Sequence, residues 1–327
     1  MAFPQFFLIG APKAGTSALH VALAQHPQLY LSPVKEPKYF LCDGAPPPAE
    51  GQRGPGDAHS AQEWLWRRDR YEALFAAAPE GTRRGESTPF YLYDRAAHRR
   101  IAQRVPDAKL VAIVRDPVDR AYSNWMHLWS DGLEPVGDFA QACALEDERV
   151  ADGFAPIWHY RRLGLYGEQL DALGSVFDPA QIHVLRYRDL VDEPEASLAA
   201  IATFLGVEPL PLAAPRPENV KPFVEDTARN RAVARMVRAG AAAASRVPPQ
   251  VWRQASRPLL AALHSGGAVR PSLDPDVRLS LVASFADDIS RLEAVTGQSF
   301  QDWLHHEGRG SYTERRTARE EAVAVSG

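Results

Sequence analysis

Two short stretches of this 327-residue chain combine cations, hydroxyls and glycine in a way that suits a phosphate. The first is Gly10-Ala11-Pro12-Lys13-Ala14-Gly15-Thr16-Ser17. Backbone N–H groups at a helix N-terminus, with the helix dipole behind them, favour an anion. Ala14 and Gly15 let the backbone approach it, Lys13 adds charge, and Thr16 and Ser17 add hydroxyl donors. The order differs from the P-loop pattern G-x-x-x-x-G-K-[ST]: Thr16 follows Gly15 where the lysine would stand, and Lys13 lies two residues before Gly15. The second stretch runs from Arg115-Asp116-Pro117 through Arg120 to Ser123. Arg115 has the planar fork that grips a phosphate, and Ser123 offers a hydroxyl two helical turns on. Read separately, each stretch has a plain alternative. The first is a tight turn with an exposed lysine, the second a surface ion pair of Arg115 with Asp116 or Asp119.

The elements that must position these residues are strands that open into helices. Phe6 to Gly10 is an apolar run that reads as a buried strand, and Thr16 to Ala24 has apolar residues at helical spacing. Lys109 to Val114 is a second buried strand, followed by Asp116 as cap, Pro117 in the first turn and a helix to about Ser130. Gln181 to Leu185 is a third. Helices are expected over 64–78, over 95–104, from Glu195 to Leu205, and in one long piece over 276–296. The pattern predicts an α/β fold: a P-loop-like central parallel sheet flanked by helices, one domain over 1–304. Its insertions are a surface loop over 42–63 and a helical segment over 222–264, and 305–327 is expected to be a flexible tail.

In combination, these residues resemble the sulfotransferases that use 3′-phosphoadenosine 5′-phosphosulfate (PAPS). That family's [KR]-x-G-T-[ST] turn is matched by Lys13-Ala14-Gly15-Thr16-Ser17. Its R-D-P-x-x-R-x-x-S motif is matched by Arg115-Asp116-Pro117, Arg120 and Ser123, about 100 residues later. Lys35-Glu36-Pro37-Lys38-Tyr39-Phe40 looks like the family's K-E-x-x-[FY]-F stretch, and Gly85-Glu86-Ser87-Thr88-Pro89 like its [GV]-E-K-[ST]-P stretch. Further matches follow at Gly164-Leu165-Tyr166, Arg186-Tyr187-Arg188-Asp189-Leu190, Phe204-Leu205-Gly206 and Arg270-Pro271-Ser272-Leu273, closing with Leu292 to Trp303. The heparan-sulfate-like and bacterial sulfotransferases are the subgroup most like it. Two departures stand out. Ser87 replaces a lysine common in relatives, and Gly266-Gly267 stands where a lysine-glycine pair often lies, with Arg270 a candidate replacement for the lost charge.

The resemblance implies roles. Lys13, Ala14, Gly15, Thr16 and Ser17 would hold the 5′-phosphosulfate, and Arg115 and Ser123 the 3′-phosphate, with Arg270 a further cofactor-binding candidate from the late loop. Lys13 would also neutralise the leaving phosphate oxygen, with no metal required. Glu36 would be the general base for an acceptor hydroxyl, with Glu86 the second candidate. Each glutamate has a structural alternative: Glu36 as partner of Lys35 or Lys38, Glu86 as a strand-end carboxylate. His20 and His127 read as packed or surface histidines, and Trp125 and Trp129 as core or acceptor-pocket wall. The expected activity is sulfuryl transfer to a hydroxyl, less readily an amine, leaving 3′-phosphoadenosine 5′-phosphate (PAP). The acceptor would be a small molecule, glycoside or carbohydrate. A P-loop kinase using Asp116 for Mg²⁺ and a non-catalytic nucleotide-binding module are the alternatives.

Composition bounds the rest. Charged residues are 24% and hydrophobic ones 45%, which fits a globular protein and argues against wholesale disorder. With 37 Lys+Arg against 41 Asp+Glu the net charge is −4, so a nucleic-acid partner gripped along the length of the chain is not expected. Two cysteines make no disulfide framework or metal pair. No apolar run reaches the ~20 residues of a membrane helix, and no basic segment precedes the first apolar run. A cytoplasmic enzyme is therefore expected, and a homodimer is left open. The Ala-, Arg- and Pro-rich usage suggests a high-GC bacterial source and a role in secondary metabolism. The basic segment Arg229–Arg246 either frames an acceptor entrance or forms a solvated helix face.

Overall fold

Five strands form one parallel sheet in the computed structural model, which describes residues 3–42, 44–47, 53–55, 64–212, 222–243, 249–266 and 269–305. They are β1 (Phe6–Gly10), β2 (Leu29–Leu31), β3 (Arg83–Ser87), β4 (Lys109–Val114) and β5 (Ile182–Arg186), in the order β2-β3-β1-β4-β5. Every residue of β1 is buried, as is β4 from Leu110 to Val114, which accounts for their unbroken apolar runs. Phe6 lies opposite Gly85 on one side and Lys109 on the other. A Cβ on Gly85 would come within 2.1 Å of the Phe6 ring, so only glycine fits there.

This order sets the site. The chain runs from β1 out to the edge strand β2, comes back to β3 between them, then crosses to lay β4 and β5 on the other side of β1. The loops after β1 and β4 therefore leave the sheet side by side, at the switch point where open α/β sheets bind ligands.

The helices are α1 (Thr16–Leu23), α2 (Tyr39–Cys42), α3 (Arg68–Ala73), α4 (Arg95–Arg104) and α5 (Pro117–Ser130) in the first part of the chain. Then come α6 (Phe139–Ala144), α7 (Glu146–Ala151), α8 (Tyr166–Gly174), α9 (Tyr187–Asp192) and α10 (Pro194–Leu205). The last four are α11 (Ala228–Ala243), α12 (Pro249–His264), α13 (Pro275–Ala283) and α14 (Ala286–Thr296). Asp94 and Asp116 cap α4 and α5 through their side chains, and Gly206 ends α10 in the left-handed conformation.

Two expectations need correction. The helix expected over 64–78 is only α3. The Leu65 amide bonds to the Pro37 carbonyl instead of continuing a helix, so the segment before Arg68 is held by a neighbouring loop. The single helix expected over 276–296 is two, α13 and α14, broken at Ser284–Phe285. The break turns Phe285 inward, where it is 1% exposed and packs on Gly164. It also sets α14 against α8. A Cβ on Gly167 would lie 2.3 Å from the Asp288 carbonyl oxygen, and the Asp288 carboxylate accepts the Gly167 and Glu168 amides at 2.8 Å each.

Within the expected 222–264 segment, α11 and α12 pack together over a small apolar cluster of Val224, Val237 and Leu263, joined by Trp129 and Leu133. Trp129, Arg238 and His264 pin this pair to the end of α5 through Val224, Gly132 and Ser130 carbonyls. In the expected 42–63 loop, Arg53 pairs with the backbone around Phe154. Positions 43, 48–52 and 56–63, Arg246, Gly267 and the expected tail over 306–327 lie outside the described residues. Among the described residues, no helix is long and apolar enough to cross a membrane.

Candidate active site

The turn after β1 is built around glycine. Gly15 caps α1 at φ 94°, and a Cβ there would meet the Tyr187 ring at 2.7 Å. A Cβ on Gly10 would meet Leu92 at 2.6 Å. No side chain caps α1, so the first amides of this helix are available to a ligand. Ala14 and Thr16 are buried, while Lys13, Gly15 and Ser17 are half-buried. Lys13 has φ 67°, one of three non-glycine residues with positive φ among those described; the others are Glu36 (61°) and Lys38 (60°). Such strained positions concentrate at functional sites. Here all three fall in loops at the same edge of the sheet.

Arg115 leaves β4 beside this turn. Its guanidinium lies 3.5 Å from the Lys13 carbonyl oxygen and over the Tyr187 ring, 5.1 Å from its centroid. It does not pair with Asp116 or Asp119. Both carboxylates are taken by Arg278 of α13, and Asp116 also caps α5 by accepting the Val118 and Asp119 amides. Arg115 forms no ion pair among the described residues, so its charge is uncompensated by carboxylate. Arg270 approaches the same spot. Burial first, and the Arg115 charge second, push its guanidinium below its usual range. Its loop is tied down where the Tyr122 hydroxyl donates to the Pro271 carbonyl at 3.0 Å. Ser123 lies half-buried on the second turn of α5.

Arg120 does something different. It is fully buried and donates to the Tyr160 carbonyl and, at 3.5 Å, to the Pro12 carbonyl. Its charge is spent on backbone oxygens that brace the turn from below.

The third group comes from the loop between β2 and α2. Glu36 is half-buried, and Lys35 donates to its carboxylate at 2.5 Å. The Glu36 amide bonds to the Ser87 carbonyl at 2.8 Å, which places this loop at the end of β3. Ser87, which stands where relatives often carry lysine, shares a 2.7 Å hydrogen bond with His20 Nδ1. Burial, then the Lys35 charge, push the His20 pKa down to about 4, so the ring is neutral at pH 7. Glu86 is fully buried and accepts hydroxyls from Tyr71 (2.7 Å), Tyr91 (2.9 Å) and Thr88 (2.8 Å). Burial outweighs these bonds and raises its pKa to about 7.

The structure thus brings together Lys13, Ala14, Gly15, Thr16, Ser17, Arg115 and Arg270 beyond the ends of β1 and β4, with Glu36 on the neighbouring loop and Glu86 enclosed in β3. His127 stands apart, 3.9 Å from Asp131. Trp125 and Trp129 stack on each other within α5 and donate their indole N–H groups to backbone carbonyls. Sequence reasoning gave no role to Tyr187 or to the His20–Ser87 pair. Tyr187 had a signal, since it follows β5 directly as Arg115 follows β4. His20 had only its helical spacing from Gly15.

The profile of the sulfotransferase family matches residues 4–211. Human heparan sulfate glucosamine 3-O-sulfotransferase 6 is 29% identical over 211 residues, covering 63% of this chain and 53% of that protein. The mouse heparan sulfate glucosamine 3-O-sulfotransferase 3A1 is 29% identical over 206 residues, covering 63% and 46%. The chain thus spans about half the length of the curated relatives it matches. A crystal structure of a sulfotransferase from Alicyclobacillus acidocaldarius superposes with a TM-score of 0.71 at 28% identity, over 93% of this chain and all of that one.

Proposed function

The chain belongs to the sulfotransferase family, and on that footing we propose that it moves a sulfuryl group from PAPS to an acceptor hydroxyl. The observation that carries the reading is the convergence of the Lys13–Ser17 turn with Arg115 and Arg270 at the β1/β4 switch point. Two guanidiniums close enough for the charge of Arg115 to disfavour that of Arg270, with Asp116 and Asp119 held by Arg278, suit a compact dianion. The 3′-phosphate of PAPS is such a group. The amides and hydroxyls of Gly15, Thr16 and Ser17 take the 5′-phosphate at the dipole end of α1.

The acceptor oxygen attacks sulfur as the bond from sulfur to the bridging phosphate oxygen breaks. PAP leaves with the electron pair of that bond, and Lys13 offsets the charge growing on its oxygen. Glu36 takes the acceptor proton, an effect worth about 10²–10⁴-fold. A carbohydrate hydroxyl is the acceptor class favoured by the names of the relatives, with a small glycoside as the other member of that chemistry. Asp116 suits the kinase alternative poorly, because its carboxylate is engaged by the α5 cap and Arg278.

Thermal unfolding tests the donor site. PAP without magnesium should stabilise the protein more than adenosine 5′-phosphate, which lacks the 3′-phosphate. Stabilisation by ATP with Mg²⁺ but not by PAP would overturn the reading.

A further inference from the structure

We propose that Glu86 is a positioning residue whose carboxylate orients the Thr88 and Tyr91 hydroxyls so that they hold the loop carrying Glu36. The proposal rests on the reading of Glu36 as the base, and it concerns a group that cannot itself reach the acceptor. Glu86 is fully buried, and its side chain accepts from three protein hydroxyls, those of Tyr71, Thr88 and Tyr91.

Glu36 and Lys38 both sit at positive φ, a conformation that a residue carrying a Cβ rarely adopts. Something must hold the chain there. Three alternate amides are held from the segment after β3. The Glu36 amide donates to the Ser87 carbonyl at 2.8 Å, the Lys38 amide to Thr88 Oγ1 at 3.4 Å, and the Phe40 amide to the Tyr91 hydroxyl at 3.2 Å. The first acceptor is a carbonyl, fixed by its strand. The other two are hydroxyls, which can rotate.

A hydroxyl has one hydrogen, and where it points decides which lone pair is left to accept. Thr88 and Tyr91 both point their hydrogens at Glu86, through Oε2 and Oε1 respectively. An ionised carboxylate only accepts, so above the Glu86 pKa of about 7 it keeps both hydroxyls turned towards it and their lone pairs turned towards the loop. Tyr71 completes the arrangement. Its hydroxyl also donates to Glu86 Oε1, and its ring stacks on Tyr39, within the same loop, at 4.3 Å and 10°. One buried carboxylate thus sets two of the three amide bonds on either side of the strained pair.

The test is amide hydrogen exchange, which needs no acceptor. Thr88→Val keeps the shape and removes the hydroxyl, Tyr91→Phe does the same at the second anchor, and Thr88→Ser restores the hydroxyl. The proposal expects the amides of Glu36, Lys38 and Phe40 to exchange at least tenfold faster in T88V and Y91F. The amides of the 11–17 turn and the affinity for PAP should stay within about twofold, and T88S should exchange like the wild type. Glu86→Gln should loosen the same three amides. Exchange within twofold of wild type in both T88V and Y91F would overturn the proposal. So would equal loosening of the 11–17 turn, or T88S behaving like T88V, since either means general destabilisation. A failure of Glu36 as the base would show instead as unchanged sulfuryl transfer in Glu36→Gln, with these exchange rates unaffected.

Discussion

At the residue scale, each proposed donor contact has a distinct signature. Gly15→Ala adds a Cβ that would lie 2.7 Å from the Tyr187 ring, at a φ that suits glycine alone. The variant should bind PAP at least tenfold more weakly, read by calorimetric titration; wild-type affinity would place the phosphate elsewhere. Arg115→Ala removes a charge-assisted bond, worth about 1.5–3 kcal/mol or about 10–100-fold. The loss should appear for PAP and be small for adenosine 5′-phosphate, because only PAP carries the group that Arg115 holds. Equal losses for both nucleotides would assign Arg115 to the 5′ end. At this scale the sequence was readable wherever charge and spacing coincide, as at Lys13 and Arg115. It could not reveal that Arg278, about 160 positions away, takes Asp116 and Asp119 and so leaves Arg115 without an ion pair among the described residues. Nor could it show that Arg120 braces backbone carbonyls. Those facts depend on which long side chains meet across the fold.

At the element scale, the apolar strands were legible and the polar interior strand β3 was not. β1 and β4 are apolar throughout because both faces are covered. β3 reads Arg-Arg-Gly-Glu-Ser, a pattern of a turn, yet Gly85, Glu86 and Ser87 are all buried in it. Gly85 is there because Phe6 fills its place, and Glu86 because three hydroxyls satisfy it. A polar strand of this kind is stable only with partners from distant segments, so local propensity points the wrong way. The α13/α14 break has the same origin, since periodicity continues through Phe285 while tertiary packing turns the chain. The contact between α8 and α14 should be intolerant of any side chain at 167. Gly167→Ala should lower unfolding free energy by about 1–3 kcal/mol in denaturant titration, because the clash is with the backbone carbonyl of Asp288. An unchanged midpoint would mean the two helices are less closely packed than described.

At the scale of the whole molecule, the buried titratable groups pull stability in opposite directions with pH. Burial lowers the pKa of His20 and His159 to about 4 from 6.5. The unfolded chain therefore binds those protons first, and stability is lost as pH falls from 6.5 towards 4. Glu86 is raised from 4.5 to about 7, so its contribution is present below 4.5 and is lost as pH rises towards 7. In Glu86→Gln the second effect disappears. The stability of that variant relative to wild type should therefore improve by about 3 kcal/mol between pH 4.5 and pH 7 and then level off. Parallel profiles would mean that Glu86 is solvated. The net charge of −4 hides this internal arrangement, just as it hides the approach of Arg270 to Arg115 near the sheet's switch point.

The central claim is that a cationic donor site and the Glu36 carboxylate together transfer sulfuryl groups. Its most direct test is Glu36→Gln with sulfur-labelled PAPS and a panel of carbohydrate and small-glycoside acceptors. The account predicts labelled product from the wild type, turnover reduced at least about 10²-fold in the variant, and PAP affinity nearly unchanged. Near-normal turnover in Glu36→Gln, with PAP still bound, would contradict it.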